Sequence, residues 1–444
     1  MGATRVQSKK DQTLGAQWTI PKHSLVSREY AELERERLWP RVWQLVCREE
    51  ELASVGSYVV YEILNDSIII VRSSQTEIKA YNNACLHRGR RLVDQSCGHK
   101  AKFVCRFHGW RWSLDGSNEH VHEVDDWNGE LDRSALRLRE FKVGRWGGFV
   151  FVNMDPNCQP FDEFIAPVAK ILDPMQVEKQ RYRWYISVEV DANWKVCQAA
   201  FQETYHVATT HPQFEAFSDS RSITVAHGPH AQIRYQPLGQ AKPGRHGVRP
   251  FPGDGRHMAV EYFRQLARDI ESLATERDLQ AVARVLELPE STTYMEALAK
   301  GRQYIVEAAN ATGAGYPSVT PAQISEIGHD WSIFPNIVNV FSLTSGLWYH
   351  ARPMPDNNPD KCLFDMFCLE RVPPGAEPKL KKRYFKDWRD CEDLPIFLHD
   401  DFANIPEVQK GLKTRGFEAM RYNPSQELPI TNLHRALDEF MGLG

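Results

Sequence analysis

No stretch of this chain is apolar for long enough to span a bilayer, and its N-terminal residues, MGATRVQSKKDQTLGAQW, lack the apolar core of a secretory signal. A cytoplasmic protein with no membrane partner is therefore expected. Positive charge is also in short supply. Lys and Arg number 54 against 58 Asp and Glu, a formal charge of −4. With no basic excess to neutralise phosphates, nucleic acid is not an expected partner. A disulfide framework is absent too, since nine cysteines are an odd number without shared spacing, which fits a reducing compartment. No internal repeat or low-complexity tract occurs. The balance of 42% hydrophobic and 25% charged residues is that of a globular protein, and 444 residues exceed one ordinary domain.

Two short stretches carry chemistry. Cys85-Leu86-His87-Arg88-Gly89 and Cys105-Arg106-Phe107-His108-Gly109-Trp110 each offer one thiolate and one imidazole. Cys85 and Cys105 suit one iron of a [2Fe–2S] cluster, and His87 and His108 suit the other. Replacing two thiolates by neutral imidazoles removes negative charge and raises the reduction potential, which distinguishes a Rieske centre from a plant-type ferredoxin. Zinc is the rival metal for two Cys and two His, but zinc fingers place both cysteines first and both histidines after. Symmetric half-motifs, glycines close behind each His, and the aromatic residues Phe107, Trp110 and Trp112 favour the cluster. Cys97 and His99, between the two motifs, read as loop residues.

Between Trp43 and about Phe151 the chain is a series of short strand-like runs. Tyr58–Ile63 and Ser67–Val71 flank Asn65-Asp66, a hairpin signal. The expectation is a small antiparallel β domain with the cluster turns at one end. A helix is expected from Ser27, its N-cap, to Trp39. After residue 160 the pattern becomes mixed. Tyr182–Val190 alternates like a strand, Val196–Thr209 reads as a helix, and residues 255–312 have helical periodicity. Strands return at Ile337–Phe341, Leu347–Ala351 and Leu363–Glu370, and the tail from Lys379 reads helical. The fold class is therefore α+β. An N-terminal arm and helix (1–40) precede an antiparallel β Rieske-type domain (41–158). A C-terminal α+β domain (159–444) follows, its antiparallel sheet around a long helix, a form that the family resemblance given below makes helix-grip-like.

His206 and His211 stand five residues apart, in Glu203-Thr204-Tyr205-His206-Val207-Ala208-Thr209-Thr210-His211. Positions i and i+5 do not share a helical face, so these imidazoles converge only where a helix distorts or ends. Pro212 supplies such an end. Two imidazoles and a carboxylate make the facial triad of non-haem Fe(II) oxygenases.

The chain resembles the catalytic α-subunit of Rieske non-haem iron, aromatic-ring-hydroxylating oxygenases. The resemblance rests on CLHRG, CRFHGW, Asn193-Trp194-Lys195, Glu203-Thr204-Tyr205-His206 and His211. It implies a [2Fe–2S] Rieske cluster on Cys85, His87, Cys105 and His108, and mononuclear Fe(II) on His206, His211 and a C-terminal Asp. Asp401, eight residues before Gln409, is the choice, with Asp400 as the fallback. Glu203 matches the acid that bridges a Rieske His and an iron-ligating His of neighbouring subunits. Many relatives carry Asp there, and Glu occurs in subfamilies acting on N- or O-alkyl substrates.

The resemblance further implies a terminal oxygenase using O2 and electrons from a separate NAD(P)H reductase, with or without a ferredoxin. The substrate would be an aromatic or related cyclic compound, hydroxylated or dihydroxylated. Oxidative O- or N-demethylation is the alternative, and an electron-transfer protein with a non-catalytic ligand-binding domain is the rival from another class. A zinc hydrolase leaves the Cys/His turns unused. Assembly as a homotrimer is implied, with or without β-subunits. Two departures stand out: the Asn found upstream of the bridging acid in many relatives is missing, with Gln202 available in its place, and residues 255–312 are long. Tyr205, Phe214, Phe217, Phe334, Phe341, Trp348 and Tyr349 are candidate pocket residues.

Overall fold

The computed structural model describes residues 18–217, 220–235 and 251–443. The first part of the expected N-terminal arm, residues 1–17, lies outside them. The described residues form two compact units, one of 33–166 with 354–357, the other of 18–32, 167–353 and 358–443.

The smaller unit contains a seven-stranded antiparallel sheet. Its spatial order is Gln44–Arg48, Phe149–Asn153, Glu140–Trp146, Ile78–Asn82, Asp66–Arg72, Ser57–Ile63 and Cys97–His99. Ile68, Ile69, Ile70 and Val71 are all fully buried, so the Asp66–Arg72 strand is covered on both faces. Its hairpin turn lies one residue earlier than Asn65-Asp66. Ile63 pairs with Asp66, and Leu64 takes the left-handed conformation at φ 52°. Cys97 and His99 are not in a loop; they form a short exposed edge strand against Ser57–Val59. A three-stranded sheet of Phe103–Val104, Arg111–Trp112 and Asn118–His120 carries the second cluster turn.

The larger unit is built on an eight-stranded sheet in the order Ser222–His227, His230–Tyr235, Asp330–Ile333, Ile337–Phe341, Ser345–Pro353, Cys362–Glu370, Arg181–Val190 and Lys382–Phe385. All pairs are antiparallel except the last, Arg181–Val190 with Lys382–Phe385. The tail from Lys379 is therefore not purely helical. Residues 255–312 form three helices, Gly255–Asp269, Glu276–Ala283 and Tyr294–Ala311. Asp254, Thr275 and Thr293 cap their exposed N–H groups. The helices Ile396–Leu412 and Leu428–Met441 follow. Among the described residues no helix is long and apolar enough to cross a membrane.

The expected helix over Val196–Thr209 is corrected. It is two short helices, Trp194–Ala199 and Val207–Thr210, separated by turns. Asn193 starts the first by accepting the Lys195 N–H at 3.1 Å. The break at 200–206 turns Glu203 and His206 out of the helical repeat.

Candidate metal centres

The two Cys/His turns have the same backbone wiring. Cys85 N–H bonds the Arg90 carbonyl at 2.8 Å, and Gly89 N–H bonds the Cys85 carbonyl at 2.9 Å. Cys105 N–H bonds the Trp110 carbonyl at 2.9 Å, and Gly109 N–H bonds the Cys105 carbonyl at 2.9 Å. Gly89 (φ 75°) and Gly109 (φ 73°) are left-handed, the conformation that closes each turn and that glycine adopts without penalty. The two turns bring like donors together. His87 Nδ1 and His108 Nδ1 are 3.1 Å apart. Cys85 and Cys105 are buried, and the Cys85 thiol is pushed up by burial and by its Cys105 neighbour. Trp110 stacks on His87 with centroids 5.0 Å apart and planes at 9°. Trp110 and Trp112 are buried, whereas Phe107 is 57% exposed, its ring 3.9 Å from the His108 ring and below the Arg88 guanidinium.

This arrangement fits a two-iron cluster better than one zinc ion. A single tetrahedral ion needs four donors gathered around one point. Among the described residues, only His206, His211 and Asp401 bring three metal-binding atoms within 4.8 Å of one another. The turns instead present a thiol pair and an imidazole pair.

His206 and His211 flank one helical turn. His206 is the N-cap of Val207–Thr210 and His211 its C-cap, with φ −123° and ψ 55°. That single turn carries both rings to 5.2 Å between centroids. Asp401 approaches from the Ile396–Leu412 helix. Its Oδ1 is 3.0 Å from His211 Nε2 and 3.5 Å from His206 Nε2. Asp400 is 3.5 Å from the other His211 nitrogen and a third exposed, and it does not join the group of three. His206 Nε2, His211 Nδ1 and Asp401 Oδ2 are buried without hydrogen-bond partners. Orphaned polar atoms of this kind are costly unless a ligand takes them up. They fit a metal ion held by two imidazoles and a carboxylate. Gln409 on the same helix accepts the Asn193 N–H at 3.2 Å, tying the Asp401 helix to the start of the Trp194–Ala199 helix.

Glu203 holds His206 by Oε1 to Nδ1 at 2.6 Å. Burial works against charging His206, but Glu203, Asp401 and Glu427 outweigh it, and its pKa is pushed up to about 9. Gln202 is buried, and its side-chain oxygen has no partner. Glu427, to which the sequence assigned no role, is raised by burial and by Glu203.

A cavity of about 100 Å³ opens against Glu203 and His206. Of the candidate pocket residues, Phe214 and Tyr349 line it. Phe217, Phe334, Phe341 and Trp348 are buried elsewhere, and Tyr205 is 58% exposed. The sequence missed Asp330 and His329 on the cavity wall, because an acid at the start of a strand looks like any turn residue.

Two iron-binding modules, one β and one α+β, define this class of protein. The chain belongs to the ring hydroxylating alpha subunit family, whose catalytic-domain profile matches residues 177–443, and the Rieske [2Fe-2S] domain profile matches residues 42–134. Membership implies a Rieske cluster and a mononuclear iron. The carnitine monooxygenase oxygenase subunit of Escherichia coli (strain K12) is 30% identical over 208 residues, covering 46% of this chain and 54% of that protein. The glycine betaine monooxygenase oxygenase subunit of Chromohalobacter salexigens is 32% identical over 181 residues, 41% of this chain and 40% of that protein. The chain thus spans about half the length of the curated relatives it matches. In fold it is similar to the quaternary ammonium Rieske monooxygenase CntA in complex with L-carnitine, with a TM-score of 0.65 and 18% identity over 98% of this chain and 99% of that one.

Proposed function

We propose that this chain is the terminal oxygenase component of a Rieske oxygenase system working in the cytoplasm. The observation that carries the reading is the convergence of His206, His211 and Asp401 within 4.8 Å, next to a cavity that reaches His206. Cys85, His87, Cys105 and His108 would hold the cluster, and His206, His211 and Asp401 the mononuclear Fe(II). When bound, these centres supply one-electron transfer and O2 activation at open coordination positions. Hydroxylation balances as substrate C–H, O2, two electrons and two protons giving C–OH and water. The electrons come from NAD(P)H through a separate reductase, with or without a ferredoxin.

The residues of the chain have definite tasks. Glu203 orients the His206 ring through Nδ1 and leaves Nε2 towards Asp401. Phe201, Phe214 and Phe397 give the cavity an apolar wall that excludes bulk water from the reacting position. Glu203 also serves as the acid that joins a Rieske His of a neighbouring subunit to His206, in a homotrimer with or without β-subunits.

Oxidative removal of an N-alkyl group is the second reading. Glu203 in place of the commoner Asp favours it, as do relatives named for carnitine and glycine betaine monooxygenation. Hydroxylating the carbon next to nitrogen gives a carbinolamine that releases an aldehyde. The test is a product screen with a surrogate reductase across arenes, aromatic acids, terpenoids and methoxy or N-methyl compounds. O2-dependent product with NAD(P)H consumption supports the reading. A cluster-bearing protein that turns over none of them and binds no mononuclear iron is an electron carrier instead.

A further inference from the structure

The cavity beside His206 has an uneven wall. Phe201, Phe214, Tyr262, Tyr349 and Phe397 contribute five aromatic rings, and Asp330 contributes a carboxylate. Asp330 sits between aliphatic cross-strand neighbours, Ile233 on one side and Val340 on the other. It pairs with Val340, which pairs with Leu347, and all three line the cavity. Directly paired residues share a face of the sheet, so the acid belongs to an otherwise apolar surface. Asp330 is only 5% exposed, and its Oδ1 is hydrogen-bonded to His329 Nδ1 at 2.8 Å. Placing a carboxylate there is costly unless its charge is used.

Two further observations concern the ligand. The Tyr349 hydroxyl is buried without a hydrogen-bond partner, two residues along the strand from Leu347 and on the same face. Among the described lining residues none is Lys or Arg. A substrate carboxylate would meet the acids Glu203 and Asp330, and the two lining imidazoles, His206 and His329, are already paired to those acids. A cation would find a buried counter-charge and aromatic faces, the combination that recognises alkylated ammonium groups. Size excludes the larger arenes. The cavity, about 100 Å³, is smaller than the roughly 150 Å³ apolar cavity known to accept one benzene. A methylated ammonium head suits it better than a polycyclic arene.

We infer that Asp330, with the aromatic rings around it, is the subsite for the ammonium head of the substrate, so that the substrate class is small N-methylated or N-alkylated ammonium compounds. This rests on the oxygenase reading of the same cavity. Asp330 holds the charge by electrostatic attraction across the cavity, the aromatic faces hold the methyl groups, and Tyr349 supplies a hydroxyl for a polar substituent.

The test compares choline with its neutral carbon isostere, 3,3-dimethylbutan-1-ol, binding to the metal-loaded enzyme by calorimetry. The wild-type protein is expected to bind choline about ten-fold or more tightly than the isostere. Asp330→Asn, with iron content and cluster spectrum matching wild type, is expected to lose most of that preference while affinity for the isostere stays within about two-fold. Asp330→Glu should restore part of it. Equal affinity for the two probes in wild type, or an unchanged preference in Asp330→Asn, overturns the subsite. The wild-type comparison decides the matter by itself if the variant does not fold. Oxidation of neutral arenes without any ammonium preference overturns the subsite and leaves the oxygenase reading intact. Tight choline binding with no O2-dependent turnover of any N-methyl compound overturns the oxygenase reading and leaves the subsite intact.

Discussion

Glu203 Oε1 lies 2.6 Å from His206 Nδ1, while Oε2 accepts the His206 N–H at 3.0 Å and the neighbouring Tyr205 N–H. The carboxylate is thus locked to the backbone of the turn it orients. Its side chain is 9% exposed, so rotation away from His206 would strand a charge among buried groups. This fixes the plane of the imidazole and holds its Nδ1 proton before any metal arrives.

Glu203→Gln keeps the shape and removes the charge. Both metal centres should remain, and turnover should fall by about 10- to 100-fold, the usual cost of losing an outer-shell partner of a metal-bound His. Glu203→Asp should fall between, because the carboxylate survives at shorter reach. Steady-state rates alongside iron and sulfide analysis provide the check; loss of mononuclear iron in Glu203→Gln would make Glu203 a determinant of binding rather than of orientation.

His206→Ala, His211→Ala and Asp401→Ala should each abolish mononuclear iron and turnover, with the EPR signal of the reduced cluster unchanged. Asp400→Ala should retain both, since Asp400 lies outside the group of three. An inactive, iron-free Asp400→Ala with an active Asp401→Ala would move the ligand by one residue.

The purified protein should be brown and show a Rieske-type EPR signal on reduction. His87→Cys or His108→Cys restores a thiolate and should lower the potential, on the order of a few hundred millivolts by spectroelectrochemistry. A colourless protein holding one zinc per chain would end the cluster assignment.

Mixing subunits tests the route between centres. A Cys105→Ser chain should lack the cluster and a His206→Ala chain should lack the mononuclear iron. If the chain assembles as the proposed trimer, hybrids of the two should recover part of the activity that neither variant has alone. Confirmed hybrids without activity, or a fully active monomer, would place electron transfer within one chain.

His434 gives a pH signature. Burial, and then the charge of Lys195, depress its pKa to about 3. In the unfolded chain a histidine titrates near 6.5. Below that pH the unfolded state takes up a proton that the native state refuses, so stability falls as pH drops from about 6.5 towards 3. Above 6.5 this contribution is fully present. At pH 5 the loss is about 2 kcal/mol, from about 1.4 kcal/mol per pH unit. Denaturant unfolding at pH 7.5 and 5 should show it, and His434→Gln should flatten the slope.

The two Cys/His turns were readable from local spacing. Cys-x-His and Cys-x-x-His each close within one turn, and their glycines sit where left-handed backbone is needed. Alternation marked Tyr182–Val190, and Ile337–Phe341, Leu347–Ala351 and Leu363–Glu370 were read as strands, but Ser222–His227, His230–Tyr235, Asp330–Ile333 and Lys382–Phe385 were not. The helix through Val196–Thr209 was misread because its composition has no breaker until Pro212. The chain leaves the helix after Ala199, and Phe201 then stacks against Tyr349 at 4.3 Å. That is a tertiary preference overriding a local one.

What the sequence determined by itself was chemistry confined to short range: which side chains offer metal-binding atoms, how each pair is spaced, and that two modules follow one another. Only the tertiary structure decided which acid meets the histidines. Asp400 and Asp401 are neighbours on one helix and differ by about 100° of rotation, and packing that buries Asp401 and leaves Asp400 partly exposed makes the choice. Asp330 shows the same limit. Its place on an apolar cavity wall depends on pairing with Val340 and, through it, Leu347, contacts set by sheet register rather than by any pattern in the residues around it.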